Sequence, residues 1–86
     1  MQKQFLFFYF TDNDVEGVER IIKKHIEYWK DNKPENYKGG PFSDRSGGMI
    51  SFTAENFDVA EKLASGDPFV IEKVVKRRWL KEWLHD

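Results

Sequence analysis

A chain of 86 residues with 14 basic and 15 acidic side chains has a formal net charge of −1, too even a balance to draw the protein onto nucleic acid or an anionic membrane surface. Its length predicts a single domain over residues 1–86 and excludes a second one. An apolar share of 40%, with 16% aromatic, excludes a disordered tail, and the lack of cysteine excludes disulfides, thiol nucleophiles and cysteine metal sites, so a cytoplasmic location is the expectation.

The opening run MQKQFLFFYF is too short to span a bilayer and no small-residue cleavage site follows it, so Gln4 to Phe10 reads as a strand. That strand is apolar on both faces, with Phe5, Phe7 and Tyr9 pointing one way and Leu6, Phe8 and Phe10 the other. Thr11, Asp12, Asn13 and Asp14 supply a turn and a cap, and a helix follows to about Asp31. Within it Val15, Val18, Ile22, Ile26 and Trp29 recur at spacings of three and four, which predicts an inward apolar stripe, and His25 falls on that stripe. An inward imidazole needs a partner for each ring nitrogen, because an unpaired buried polar group costs about 1–3 kcal/mol.

From Asp31 to Gly48, two prolines and four glycines prevent any long regular element and leave room for one short strand near Tyr37. Met49 to Ala54 alternates and is β-prone. Asn56 then caps a helix whose apolar positions Phe57, Ala60, Leu63 and Ala64 keep helical spacing up to Gly66. Asp67-Pro68 opens a short turn. Beyond it two readings compete: a last strand within Val74 to Trp83, where Val75, Arg77, Trp79, Lys81 and Trp83 share a side, or a helix over Val70 to Leu84.

The order β-α-β-β-α-β is that of a ferredoxin-like α+β protomer with both crossover helices on one face of the sheet. Two helices cover one face only. The second apolar face of the first strand therefore predicts a homodimer through the sheet, with an aromatic ligand platform as the alternative.

A histidine on an apolar helix face is ordinarily a satisfied core residue, and an Asp before Pro is ordinarily a helix cap. Together, however, His25 and Asp67 have the chemistry of a base and its orienter, in which a carboxylate fixes the imidazole tautomer and raises its basicity. Their separation along the chain leaves contact undecided. Elsewhere the glycines at 39, 40, 47 and 48 lack the lysine and hydroxyl residue of a phosphate loop, and Lys76, Arg77 and Arg78 alternate across a strand as solvated cations. A sheet with exposed aromatics is also the RNA-recognition architecture, but GGMISFTA lacks its basic, glycine and spaced-aromatic signature, so no nucleic acid partner is expected. Trp79 and Trp83 are expected in a core or dimer contact. Ser51 has no nucleophile setting, Ser43 or Ser46 is a candidate to line a cleft, and His85 beside the terminus is given no ligand role.

The ordered set Gly39-Gly40-Pro41, Gly47-Gly48-Met49-Ile50-Ser51-Phe52, the helix with Ala60, and Asp67-Pro68-Phe69, with the helix-one histidine and the aromatic first strand, resembles the YciI-like (YCII-related) family. The resemblance implies the dimeric α/β-barrel arrangement, in which ferredoxin-like protomers pack sheet against sheet. It also implies a His-Asp dyad, carried here by His25 and Asp67, and one family member is a dehydrochlorinase acting on a chlorinated hydroxyhydroquinone. On this reading the protein applies general acid/base chemistry to a small, cyclic or aromatic metabolite without cofactor or metal, and Gly40, Pro41 and Ser43 contact the ligand near a rim that includes Gly39. A non-catalytic small-molecule-binding or regulatory dimer on the same fold is the alternative.

Overall fold

Alternating aromatic side chains build the central strand β1 (Lys3–Phe10), every second residue of which is sealed: Phe5 and Phe7 are wholly buried and Tyr9 nearly so. The computed structural model describes residues 2–84. After β1 come α1 (Val15–Asn32), β2 (Lys38–Pro41), β3 (Gly47–Ala54), α2 (Phe57–Ser65), the short α3 (Pro68–Ile71) and β4 (Arg77–Glu82). The four strands form one antiparallel sheet in the order β2-β3-β1-β4, the ferredoxin-like arrangement expected from the element order. The C-terminal segment is a strand rather than a helix. Phe7 pairs with Leu80 and Phe8 with Trp79, so the register puts Leu80 on the covered face and Trp79 on the open one.

Local chemistry explains the helix ends. Asp14 caps α1 by accepting from the Gly17 amide at 3.0 Å, Asn56 caps α2 by accepting from the Val59 amide at 2.9 Å, and α1 closes on Lys33 in the left-handed conformation. The hydrogen bonds from Gly17 and Lys76 hold the Asp14 carboxyl below its ordinary range. One core lies between the helices and one sheet face, where Phe5, Phe7, Phe52 and Trp29 pack with Ala60 and Ala64 of α2 and Phe69 of α3. Among the described residues no helix is long and apolar enough to cross a membrane.

Two expectations change. The sealed side of α1 is Gly17, Ile21, His25 and Trp29, whereas Val15 (62% exposed), Ile22 and Ile26 (52%) stand open. The apolar stripe read from the sequence thus straddles two environments, because α1 is rotated so that only its His25 edge meets the sheet. Of the two places expected for Trp79 and Trp83, core or dimer contact, the core is excluded: both remain about half exposed on the face opposite the helices, beside the half-buried Leu6, Phe8 and Phe10. The basic run is absorbed by pairing, since Lys76 meets Asp14, Arg77 meets Asp12 and Arg78 meets Glu61.

Candidate active site

His25 and Trp29 are one helical turn apart on α1, so their ring nitrogens reach toward the same place. That place is Asp67, at the start of α3. His25 Nδ1 lies 2.8 Å from Asp67 Oδ1, Trp29 Nε1 donates to Oδ2 at 2.9 Å, and the Phe69 amide donates to Oδ1 at 2.8 Å. The carboxylate therefore caps the short helix and holds the imidazole with the same oxygen. An aspartate that receives an indole N–H and a backbone N–H is used as an acceptor, so Nδ1 donates its N–H in this pair and Nε2 takes no part in it. Burial is nearly complete, with side-chain exposures of 8% for His25 and 1% for Asp67.

Rings fix the imidazole further. Phe69 stacks on it at 4.0 Å between centroids, and Tyr9 meets it edge-on at 5.6 Å. Nε2 has no hydrogen-bond partner among the described residues. Since no buried side-chain nitrogen or oxygen there is left unpaired, that atom is reached from outside.

What reaches it is a cavity of about 480 Å³ between α1 and the β2 end of the sheet, a volume suited to a small organic molecule. Its helix wall is Val18, Ile22 and Ile26, its floor includes Gly39 and Gly40, and His25 with Tyr9 closes the inner end. Arg45 and Glu19 also line it.

Of the residues singled out from the sequence, the fold brings His25, Gly40 and Pro41 to this cavity, with Asp67 directly behind His25. Ser43 is not brought there. It lies exposed in the turn between β2 and β3, and Ser46, with its hydroxyl donated to Asp44 at 2.7 Å, is not among the lining residues either. His85 lies outside the described residues.

Sequence reasoning missed Trp29 as a donor to Asp67, Phe69 as the ring stacked on His25, and Tyr9 and Tyr37 as cavity hydroxyls. Signals for three of them were present: Trp29 follows His25 by four residues, Phe69 sits within Asp-Pro-Phe, and Tyr9 is a phenol in a run of phenylalanines that has to find a polar outlet. The Tyr9 phenol is held well above tyrosine's ordinary range, first by burial and then by the negative charge of Asp67 and by Tyr37; Tyr37 itself is raised by burial and by Asp67.

The fold is thus a ferredoxin-like α+β sheet, with a carboxylate-held histidine opening on a largely apolar cleft. The chain belongs to the family of the YCII-related domain, whose model matches residues 3–84. Among solved structures it is similar to a 5-chloro-2-hydroxyhydroquinone dehydrochlorinase from Burkholderia phenoliruptrix in complex with 2,5-dihydroxybenzoquinone, with a TM-score of 0.83 and 18% sequence identity, over 96% of this chain and 95% of that one. No curated protein matches the sequence.

Proposed function

We propose that this protein is an acid/base enzyme in which His25, oriented by Asp67, moves a proton on a small hydroxylated ring, in the manner of a lyase or dehydrochlorinase. The observation that carries this reading is the division of labour on one imidazole: Nδ1 is tied to a buried carboxylate, and Nε2 is left to a cavity of ligand size. The similar dehydrochlorinase acts on a chlorinated hydroxyhydroquinone and was solved with a dihydroxybenzoquinone, which supports a planar oxygenated ring as the substrate class.

The chemistry follows from the geometry. Nε2 takes a proton from a ring hydroxyl or from a carbon beside a carbonyl. On a chlorinated hydroquinone the proton taken from one hydroxyl is delivered to the chlorine-bearing carbon, giving a ketone; loss of a second hydroxyl proton then forms a C=O bond, shifts the ring double bond onto that carbon and expels chloride with its bonding pair. His25 becomes an imidazolium whose charge is balanced by Asp67 at 2.8 Å, and it returns the second proton to water. The apolar walls of α1 strengthen these charges by excluding solvent.

The same reading takes the outer face of the sheet, with Phe8, Phe10 and Trp79, to be covered by a second copy of the chain. A Phe8→Asp variant should then halve the mass measured by light scattering, and an unchanged mass removes the sheet-to-sheet dimer.

The catalytic reading is tested by chloride release from 5-chloro-2-hydroxyhydroquinone, and by deuterium exchange into hydroxylated aromatic and carbonyl compounds followed by NMR. Wild type should react with at least one of these, and His25→Ala should lose about 100-fold or more. Equal rates in a folded His25→Ala protein overturn the dyad, and a protein that binds such rings without any exchange is the non-catalytic binding module instead.

A further inference from the structure

Two tyrosines that the dyad does not use share the cavity with Nε2. Tyr9 and Tyr37 both line it, one from the central strand and one from the segment before β2, and the sheet beneath them is built to let their hydroxyls lie flat. Gly48 pairs directly with Tyr9 across β1 and β3, and a Cβ at position 48 would overlap the Tyr9 hydroxyl and stand 2.6 Å from the Gly40 carbonyl oxygen. Gly39 does the same for the other ring, since a Cβ there would come within 2.8 Å of the Tyr37 hydroxyl. The glycines at 39 and 48 therefore clear a bed for two phenols.

The rings are locked from the other side as well. Tyr9 packs against Phe7, His25 and Phe69, with centroids 5.6 to 5.8 Å away, and Tyr37 stacks on Trp29 at 6.0 Å with the planes 20° apart. Trp29 is the residue that donates to Asp67, so both tyrosines are braced by the same side chains that hold the dyad. Neither hydroxyl has a hydrogen-bond partner among the described residues; for the buried Tyr9 the absence there of any unpaired buried oxygen means that its hydroxyl is open to the cavity, while Tyr37, 44% exposed, lines the same cavity from its rim. By contrast Tyr28, which is outside the cavity, donates its hydroxyl to the Leu63 carbonyl at 2.7 Å. Rigid, unpaired phenol donors beside a base are placed to meet an oxygen that the base makes negative.

Building on the acid/base reading above, we propose that Tyr9 and Tyr37 form a two-phenol clamp that donates hydrogen bonds to the one substrate oxygen on which negative charge develops as His25 takes the proton. The clamp narrows the substrate class to rings or enols bearing an ionisable hydroxyl, or a carbonyl oxygen conjugated to the reacting carbon. Tyr9 suits the task because it stays a neutral donor: burial, and after it the negative charge of Asp67, disfavour an ionised phenol there, so it neither competes with His25 as a base nor repels the oxyanion. Charge is conserved at the centre, since the proton that leaves the substrate makes His25 cationic beside Asp67 while the substrate oxygen becomes anionic between the two phenols.

The probe is 4-nitrophenol, whose ionised form is seen by its visible absorption, titrated at fixed pH into wild type, Tyr9→Phe, Tyr37→Phe and His25→Gln. Wild type should bind the ionised form, and each Tyr→Phe change should weaken that binding about tenfold and lower the ionised fraction of the bound ligand. The rings, and hence the packing, are retained in both variants. In the His25→Gln background Tyr9→Phe should still cost about tenfold, which separates the clamp from the dyad. Folded Tyr9→Phe and Tyr37→Phe proteins that bind as wild type does, or a wild type that binds no nitrophenol, overturn the clamp while leaving the exchange test of His25 standing. Exchange that survives His25→Ala, with the tyrosine effects intact, overturns the dyad instead.

Discussion

Phe5 and Tyr9 are four residues apart on β1 and point to the same side of the sheet, yet they stand in opposite kinds of surroundings. Around Phe5 the space is closed: Phe52 and Phe57 lie 6.3 and 6.2 Å away between centroids, and the small residues Ala60 and Ala64 let α2 settle onto the sheet. Around Tyr9 the space is open, because the neighbouring strands carry glycine at 39, 40, 47 and 48 and offer no side chains to fill the gap beneath α1. One end of a single layer is thus a hydrocarbon core, and the other is a cavity with a histidine at its inner end. The difference comes from residue size on the facing elements and not from any change in β1.

The comparison breaks most directly by truncating a side chain at each end. Phe52→Ala should cost about 3–5 kcal/mol in urea unfolding, whereas Ile26→Ala, on the half-exposed cavity wall, should cost less than about 1 kcal/mol. Equal losses would mean that the cavity is closed in solution.

At the boundary between the two ends, Asp67→Ala leaves three donors without their acceptor, the ring nitrogen of His25, the indole of Trp29 and the Phe69 amide. The expected cost is about 3 kcal/mol or more, with an upfield shift of the Trp29 indole proton in NMR, and a loss under about 1 kcal/mol would show that the carboxylate is not an acceptor for all three.

A smaller effect sharpens the open end by pH. Tyr9 ionises near 10.0 as an ordinary tyrosine, but in the fold burial, with Asp67 and Tyr37 behind it, raises it further. The folded state then holds this proton more tightly than the unfolded chain does. Its contribution is fully present below pH 10 and is lost as pH rises beyond that, by up to about 1.4 kcal/mol per pH unit. Thermal melts from about pH 8 to about pH 11 should fall more steeply for wild type than for Tyr9→Phe, and parallel curves would place Tyr9 in water. The smallest change expected is at the surface pair Arg78 and Glu61, where both side chains are about a third or more exposed and Arg78→Ala should shift stability by less than about 1 kcal/mol in the same urea assay.

Much of the fold was legible because its signals are local. The β1 alternation, the caps at Asp14 and Asn56, the glycine and proline punctuation before β3 and the Asp67-Pro68 start all act within a few residues. Only the segment after Val70 was ambiguous, since a cationic, tryptophan-bearing run fits a helix or an edge strand until β1 is present to pair with it. The site was legible in half. His25 was visible as a polar residue among apolar ones and Asp67 as a cap, but the second role of Asp67 depends on contacts 42 and 38 residues away along the chain, which no periodicity encodes.

From the amino-acid sequence alone came the order of elements, the inward histidine and an acidic residue of the right kind at a helix start, because backbone propensity and side-chain periodicity are properties of neighbours. The packing of the elements on one another decided the rest. It gathered Trp29, Phe69 and the two cavity tyrosines around the dyad, left Ser43 in a turn outside, and opened apolar positions such as Ile26 onto a cavity, because contacts between distant segments are set by how whole elements pack and by the volume their glycines leave unfilled.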